Sequence, residues 1–403
     1  MKKRFAVSYI EIFLFILSIV FAPQYLPIDI RPLVYIFWGL LGIKRTGWIL
    51  RKSFYTSITT FILYFLTIYS LSVIFINGTG EYSLGIRYFR ALLSVSAITL
   101  YLNSYKISSD RIIKGLIGVL LIHSLVIIIE IIEPSSRAYF YIFAETNQIE
   151  YPFRANGLVN GYDYAGLYTN IGLMLVALKY IKDRSNSYLI AMIIFIIATI
   201  FTSRLNMLLM LVTLIIIFRQ SLIFKAKVLA TGLLIFFLTT GSIGIFLLAI
   251  TTDAFPEIRK YIFNNVEGTQ GMYEVIRLSY SDDNVENVIE EQFKLISAKN
   301  MVFGSGEDGN IDPGYNQLIN TIGIIGTGII LLYYCSMIFY LKSKKGIKKR
   351  LNNLKIVYLI SIYLLLFNII FNFKLLFFFS AGIFEMTSIL IICYERNKKI
   401  NET

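Results

Sequence analysis

The chain is 403 residues long, 56% hydrophobic and only 16% charged, with a mean hydropathy of +0.68. Soluble domains run near 45–50% apolar and about 25% charged, so this composition excludes a soluble globular enzyme. A net charge of +13 would suggest nucleic acid in a soluble chain, but membrane proteins gather Lys and Arg on their cytoplasmic side without an acidic partner.

Apolar stretches approaching the length of a membrane span predict an all-α, polytopic membrane protein, a single domain over 1–403 with about twelve helices. They lie near 6–22, 31–43, 54–76, 84–102, 115–133, 162–180, 187–202, 205–218, 228–250, 315–341, 354–373 and 375–393. The second is short, so it tilts with its neighbour or inserts only shallowly. Thr202-Ser203-Arg204 alone separates the seventh from the eighth, which predicts a tight hairpin. Two connections are too long to be turns, 134–161 and, between helices nine and ten, 251–314. Long external loops on a compact body tend to be functional. In the second loop Val285, Val288, Ile289, Phe293 and Ile296 recur at helical spacing among Glu286, Asn287, Glu290 and Glu291, which predicts an amphipathic helix.

The charges orient the chain. With Met1-Lys2-Lys3-Arg4 in the cytoplasm and the spans alternating, 26 of the 38 basic residues fall inside. Only Asp110, Asp183, Glu395 and Glu402 share that side. The pattern is positive-inside and predicts a multi-pass protein with both termini cytoplasmic. Ala22-Pro23-Gln24 is a poor cleavage site, so the first helix is read as retained rather than as a signal peptide. Cys335 and Cys393 lie within or at the end of predicted helices, and the single histidine, His123, is mid-helix. Their spacing fits no metal motif, and neither a metal nor a cofactor is expected.

On the outer side, where basic residues are scarce, a few arginines stand out. Arg87 and Arg90 are three apart in the fourth span and share a helix face; a charge at membrane depth is costly, about 2.5–3.5 kcal/mol at a helix centre. Arg204 sits at the hairpin tip beside Ser203, and Arg154 precedes Ala155-Asn156-Gly157 in the first long loop. Arginine forks match phosphate oxygens, so a diphosphate-linked substrate would account for all four. Snorkelling, or ion pairs with Glu81, Glu130 or Glu133, accounts equally well for any one of them. Glu11 reads as a snorkelling residue, whereas Glu385 and His123, both mid-span, read as functional groups or as packing contacts. Gly304-Ser305-Gly306-Glu307-Asp308-Gly309 lacks the Lys-Ser/Thr ending of a phosphate loop and is read as a tight glycine turn feeding the tenth span. Asp312 in Asp312-Pro313-Gly314-Tyr315-Asn316 is the best-placed carboxylate to take a proton from a sugar hydroxyl; Asp and Pro are equally common as helix-start residues.

Several of these segments together resemble the O-antigen polymerase/ligase family, the Wzy type in particular. They are the run from Arg154 through Asn160 and Asp163 to Ala165, Thr202-Ser203-Arg204, the large late loop, Phe303-Gly304-Ser305-Gly306, Asp312-Pro313-Gly314-Tyr315, and Gly323-Ile324-Ile325-Gly326. The resemblance implies a GT-C-type fold and a metal-independent glycosyltransferase in the bacterial inner membrane. Its substrate would be an oligosaccharide linked to undecaprenyl diphosphate, and the growing glycan would pass from its carrier onto a new lipid-linked repeat unit at the outer face. On that reading Arg87, Arg90, Arg154 and Arg204 hold diphosphate, Asp312 is the base, and Asn160, Ser203, Tyr315 and Asn316 contact substrate. A chain-length regulator and a flippase would be partners, alongside membrane lipid, and nucleic acid would not. The ligase branch carries a histidine where the tenth span begins, and Tyr315 and Asn316 stand there instead, which favours polymerase over ligase. A lipid-linked oligosaccharide flippase is the rival from another class. The long late loop argues against it, and the lack of an internal repeat argues against a secondary transporter.

Overall fold

A computed structural model describes residues 8–23, 29–46, 53–104, 107–140, 143, 154–219, 301–307, 314–343, 352–373 and 375–402. Among these there are eleven α-helices, one 3-10 helix and no strand. They are α1 (Tyr9–Val20), α2 (Arg31–Thr46), α3 (Phe54–Asn77), α4 (Ser83–Ser104), α5 (Ser109–Ile132), α6 (Tyr162–Asp183), α7 (Asn186–Ile200), α8 (Arg204–Arg219), α9 (Gly314–Ser343), α10 (Asn353–Phe371) and α11 (Ile383–Glu402). The 3-10 helix, Pro134–Phe140, follows α5. The predicted ninth span and nearly all of the loop 251–314, with its amphipathic helix, lie outside the described residues.

Helix starts are set by short polar side chains. Ser8, Ser53, Ser108 and Asn352 each accept a hydrogen bond from the backbone N–H three residues on, satisfying a donor that the first turn leaves orphaned. Four helices among the described residues are long and apolar enough to cross a membrane: α3, α5, α9 and α10. Shorter apolar helices occur at α1, α7 and within α8. The centre of the bundle is α6, in which every residue from Ala165 to Lys179 is buried; with no outer face, it turns even Thr169, Asn170 and Lys179 to partners on neighbouring helices.

From α1 to α8, and again from α9 to α11, consecutive helices alternate in direction, and their basic ends meet. At one end Arg45 closing α2 pairs with Glu11 opening α1 at 2.7 Å. Lys179 near the end of α6 bonds Asp110 at the start of α5 at 2.9 Å, and Asn353 opening α10 donates to the same carboxylate at 3.0 Å. Tyr340 near the end of α9 donates to Glu395 of α11, which also accepts from the N–H of Tyr55 at the start of α3. Glu11, read from sequence as a snorkelling residue, is therefore an ion-pair partner that Tyr101 also bonds at 3.2 Å.

Two departures from the predicted spans shape the opposite end. The last span is displaced: 375–382 is irregular, and the helix runs Ile383–Glu402 rather than 375–393. The run Leu375-Leu376-Phe377-Phe378-Phe379 is as apolar as a span, but neighbouring side chains replace its helical hydrogen bonds. The Leu376 carbonyl accepts from Tyr164 (2.8 Å) and Arg87 (3.2 Å), the Ala381 carbonyl from Tyr168 (3.1 Å), and the Phe377 N–H donates to Asn372 (3.1 Å). Irregular backbone buried inside a helical bundle is tolerated only where protein satisfies it. The second departure is a break inside α9 at Gly323, with φ 69° and ψ 180°. There the segment 301–307 pairs with it: Ser305 N–H bonds the Asn320 carbonyl (2.7 Å) and Ile324 N–H bonds the Met301 carbonyl (2.9 Å). A side chain at Gly323 would meet the Val302 carbonyl at 2.2 Å, so glycine is required by conformation and by space. Of the glycine turn expected over 304–309, the described residues 304–307 are thus packed into the broken span itself.

Candidate functional site

The four helices left over from the apolar set are α2, α4, α6 and α11, and these four frame a polar cavity. It has a volume of about 220 Å³ and is lined by Arg31, Arg87, Arg90, Asn160, Tyr164, Tyr168 and Ser380, with Val159 and Ala381. Arg31 opens α2, Arg87 and Arg90 lie in the first turns of α4, Tyr164 and Tyr168 in those of α6, and Ser380 and Ala381 in the irregular lead into α11. The cavity therefore sits at the end of the bundle opposite the ion-pair cluster of Lys179 and Asp110.

Its charge is only partly compensated. Arg31 is held by Asp29 through two hydrogen bonds of 2.7 Å, to Oδ1 from Nε and to Oδ2 from Nη2. Burial alone would raise the Asp29 pKa, but the hydrogen bonds and charge of Arg31 outweigh it and hold the carboxyl below its ordinary value. Arg87 donates to the Leu376 carbonyl at 3.2 Å. Arg90 Nε is buried with no hydrogen-bond partner among the described residues. Neither Arg87 nor Arg90 forms an ion pair there, and the nearby buried carboxylate, Glu385, is bonded to Tyr35 Oη (3.0 Å) and to the Gly382 N–H. Among the described residues three guanidiniums thus stand against two carboxylates, one of which is already clamped to Arg31. A buried guanidinium with an open donor is an arrangement that an anion completes.

Glu385 is not mid-span, as the sequence suggested. The displacement of the last helix places it in the first turn of α11, where it closes the Gly382 turn beneath the arginines.

The approach to the cavity from 154–161 is anchored by α5. Glu130 Oε2 accepts from the N–H groups of Asn156 (3.1 Å) and Gly157 (2.9 Å), and His123 Nδ1 accepts from Leu158 N–H (3.0 Å). His123 Nε2 lies 3.3 Å from the Ala165 carbonyl, which fits a neutral imidazole carrying its proton on Nε2. Gly157 has φ 60°, and a Cβ there would lie 2.7 Å from the His123 ring. His123 is thus a positioning group for the loop that delivers Asn160, and Glu130 binds backbone rather than an outward arginine.

Of the residues singled out from sequence, Arg87, Arg90 and Asn160 come together on this cavity. Arg154 does not line it: its guanidinium lies over the Tyr162 ring, 5.5 Å from the centroid, and its carbonyl accepts from Arg137 at 2.7 Å. Ser203 caps α8, its buried hydroxyl accepting from the Asn206 side chain at 2.8 Å. Arg204 is the first residue of that helix, so the tight hairpin forms as expected, while its side chain lies outside what is described. Tyr315 does not line the cavity either; its hydroxyl donates to the Ile369 carbonyl at 2.7 Å, and its ring packs on Phe373 and Phe378. Asn316 follows it in the first turn of α9, half-buried and away from the cavity lining. Asp312 lies outside the described residues.

Arg31 completes the basic set and was passed over in the sequence. It shares the cavity end of the bundle with Arg87 and Arg90, but its pairing with Asp29 two residues away makes it read as a local ion pair. Comparison with known proteins adds no relative: no family model, no curated protein and no solved structure matches this chain.

Proposed function

We propose that this membrane-embedded helical protein is a polysaccharide repeat-unit polymerase. On this reading about twelve spans with a GT-C-type arrangement cross a bacterial inner membrane, the basic end faces the cytoplasm, and the arginine cavity opens at the outer face. The substrate is an oligosaccharide carried on undecaprenyl diphosphate. The observation that carries the reading is the convergence of Arg31, Arg87 and Arg90 with Asn160 on one cavity. Its volume supports a head group as occupant, since pockets that enclose a whole drug-sized ligand run to roughly 300–1,000 Å³.

The chemistry follows from the charge. An acceptor hydroxyl forms the new glycosidic bond at the anomeric carbon, the bond from that carbon to the diphosphate oxygen breaks, and the diphosphate leaves with the electron pair. The hydroxyl proton passes to a base, for which Asp312 remains the candidate from sequence. Charge gathers on the departing diphosphate, and fixed guanidiniums stabilise it more in the transition state than in the ground state. Among the described residues Arg87 and Arg90 are the two cavity arginines with no ion pair to a carboxylate, so the reading assigns them the larger share.

The test is chain extension by purified protein in vesicles supplied with lipid-linked repeat units. Wild type yields a ladder of polymer lengths. Arg87→Gln and Arg90→Gln each lower the elongation rate by about 10²–10³ with the protein still in the membrane. A normal ladder from the double variant would end the polymerase reading of this cavity. In cells lacking the protein, single capped units should replace long chains; repeat units trapped on the inner leaflet would favour a flippase instead.

A further inference from the structure

Beside the arginine cavity lies a second concavity of opposite character. It measures about 730 Å³, is lined almost wholly by apolar side chains, and runs between α1, α2 and α5 under Phe140 and Phe143. Leu17, Leu33, Trp38, Ile122 and Val126 form its walls. The two hollows share a partition. Ile30 lines the groove and Arg31 the cavity; Leu158 lines the groove and Val159 the cavity. Phe21, on the groove side, packs against Tyr168, on the cavity side, with ring centroids 5.1 Å apart.

An apolar trough meeting a cluster of guanidiniums across one layer of side chains matches a molecule with a hydrocarbon chain at one end and a phosphate at the other. We propose that the groove between α1, α2 and α5 seats the hydrocarbon chain of an anionic lipid whose phosphate lies among Arg31, Arg87 and Arg90. This deepens the polymerase reading and rests on it for one point only, the choice of a polyprenyl diphosphate over an ordinary phospholipid. The physical argument is complementarity at both ends. Among the described residues its polar groups are the Ser18 hydroxyl and Trp38 Nε1, bonded to each other at 2.8 Å with the hydroxyl turned to the Phe15 carbonyl, so the groove offers a sugar no open partner there. The cavity holds a buried donor, Arg90 Nε, with no partner among the described residues, and hydrocarbon cannot satisfy it. A lipid lying across the partition satisfies both, and its glycan then projects away from the groove. Arg31, as the residue at the junction, holds the phosphate nearest the chain.

The test is binding, independent of polymer synthesis. Full-length protein in detergent is mixed with a polyprenyl diphosphate carrying a photoreactive group on its first isoprene units, and the crosslinked peptides are mapped. Crosslinks should fall in α1, α2 and α5, and unlabelled polyprenyl diphosphate should compete them away while phosphatidylglycerol should not. Leu33 lines the groove yet is 62% exposed, so Leu33→Trp fills the trough without disturbing the core. It should weaken polyprenyl diphosphate binding at least tenfold and leave the binding of inorganic pyrophosphate unchanged. Arg90→Gln should weaken both. Unchanged lipid affinity in Leu33→Trp, or crosslinks competed equally by phosphatidylglycerol, would overturn the proposal. Failure of polymer synthesis with intact, competable crosslinks would instead count against the polymerase reading alone.

Discussion

Replacing Glu130 by leucine removes the acceptor on which the loop carrying Asn160 depends, at nearly constant side-chain volume. Glu130 is 4% exposed, and its Oε2 takes the N–H groups of Asn156 and Gly157 at 3.1 and 2.9 Å. Without it both donors are buried and unsatisfied, at about 1–3 kcal/mol each, so the native loop loses roughly 2–6 kcal/mol. Whole-domain stabilities run about 5–15 kcal/mol, and the cheaper response is for residues 155–158 to lift off α5 while the bundle holds. The expected signature is local. Hydrogen exchange at Asn156 and Gly157 should quicken at least tenfold, the equivalent of about 1.4 kcal/mol, while amides in the centre of α6 keep wild-type protection. Glu130→Gln retains one carbonyl acceptor and should show a smaller change in the same direction. Because Asn160 leaves its place, pyrophosphate binding should fall in the leucine variant and largely survive in the glutamine variant. Wild-type exchange at both amides in Glu130→Leu would refute the claim that this carboxylate anchors the loop.

Gly323→Ala should destabilise the protein by at least about 1–3 kcal/mol, since φ 69° with ψ 180° is a conformation essentially confined to glycine, and thermal unfolding in detergent checks it. Asp29→Asn removes the carboxylate that clamps Arg31 and should tighten pyrophosphate binding severalfold by calorimetry; weaker binding would show that Asp29 presents Arg31 rather than restrains it. The depressed Asp29 carboxyl has a signed consequence for pH. Its contribution to stability is complete above the unfolded-state value and is lost only as pH falls through the lower folded-state value, so unfolding scans of wild type and Asp29→Asn should stay parallel from neutral pH to just above the ordinary carboxylate range and converge below it. Lys179→Met removes the buried partner of Asp110 and Asp183 at the basic end. Both carboxylates stay about a third exposed, so the loss should be about 1–3 kcal/mol rather than that of a fully buried pair, with pyrophosphate binding intact.

The helical architecture was readable because hydropathy and capping act locally. Ser8, Ser53 and Ser108 stand where the first, third and fifth helices start, and the hairpin at Thr202-Ser203 forms as its shortness demanded. The last helix was misplaced because hydropathy weighs side chains and not backbone bonding. The run from Leu375 to Phe379 is apolar enough to span, and its Leu376 carbonyl is satisfied by Arg87 and Tyr164, more than two hundred residues away in the chain. The candidate site was half legible. Arg87 and Arg90 could be paired by helical spacing, and Asn160 sat in a segment already singled out. Arg31 broke the same charge rule but stood alone at a helix start, two residues from Asp29, where it reads as a local ion pair. Arg154 broke the rule too, and its guanidinium lies over Tyr162 instead. Charge asymmetry marks out which arginines are exceptional along the chain; only the packing of α2, α4, α6 and the lead into α11 selects which of them meet.

The sequence contains a single histidine, and the fold wedges it beneath the segment that reaches the cavity. His123 Nδ1 holds the Leu158 N–H, and its ring is stacked on Phe21 and sealed from solvent. The protein therefore carries a built-in, one-site probe. An imidazole-specific reagent has one target in the chain, and it can reach that target only when residues 156–158 have risen from α5. The rate of that modification, with and without a phosphate-bearing ligand, would time the opening of the cavity's entrance with no label introduced.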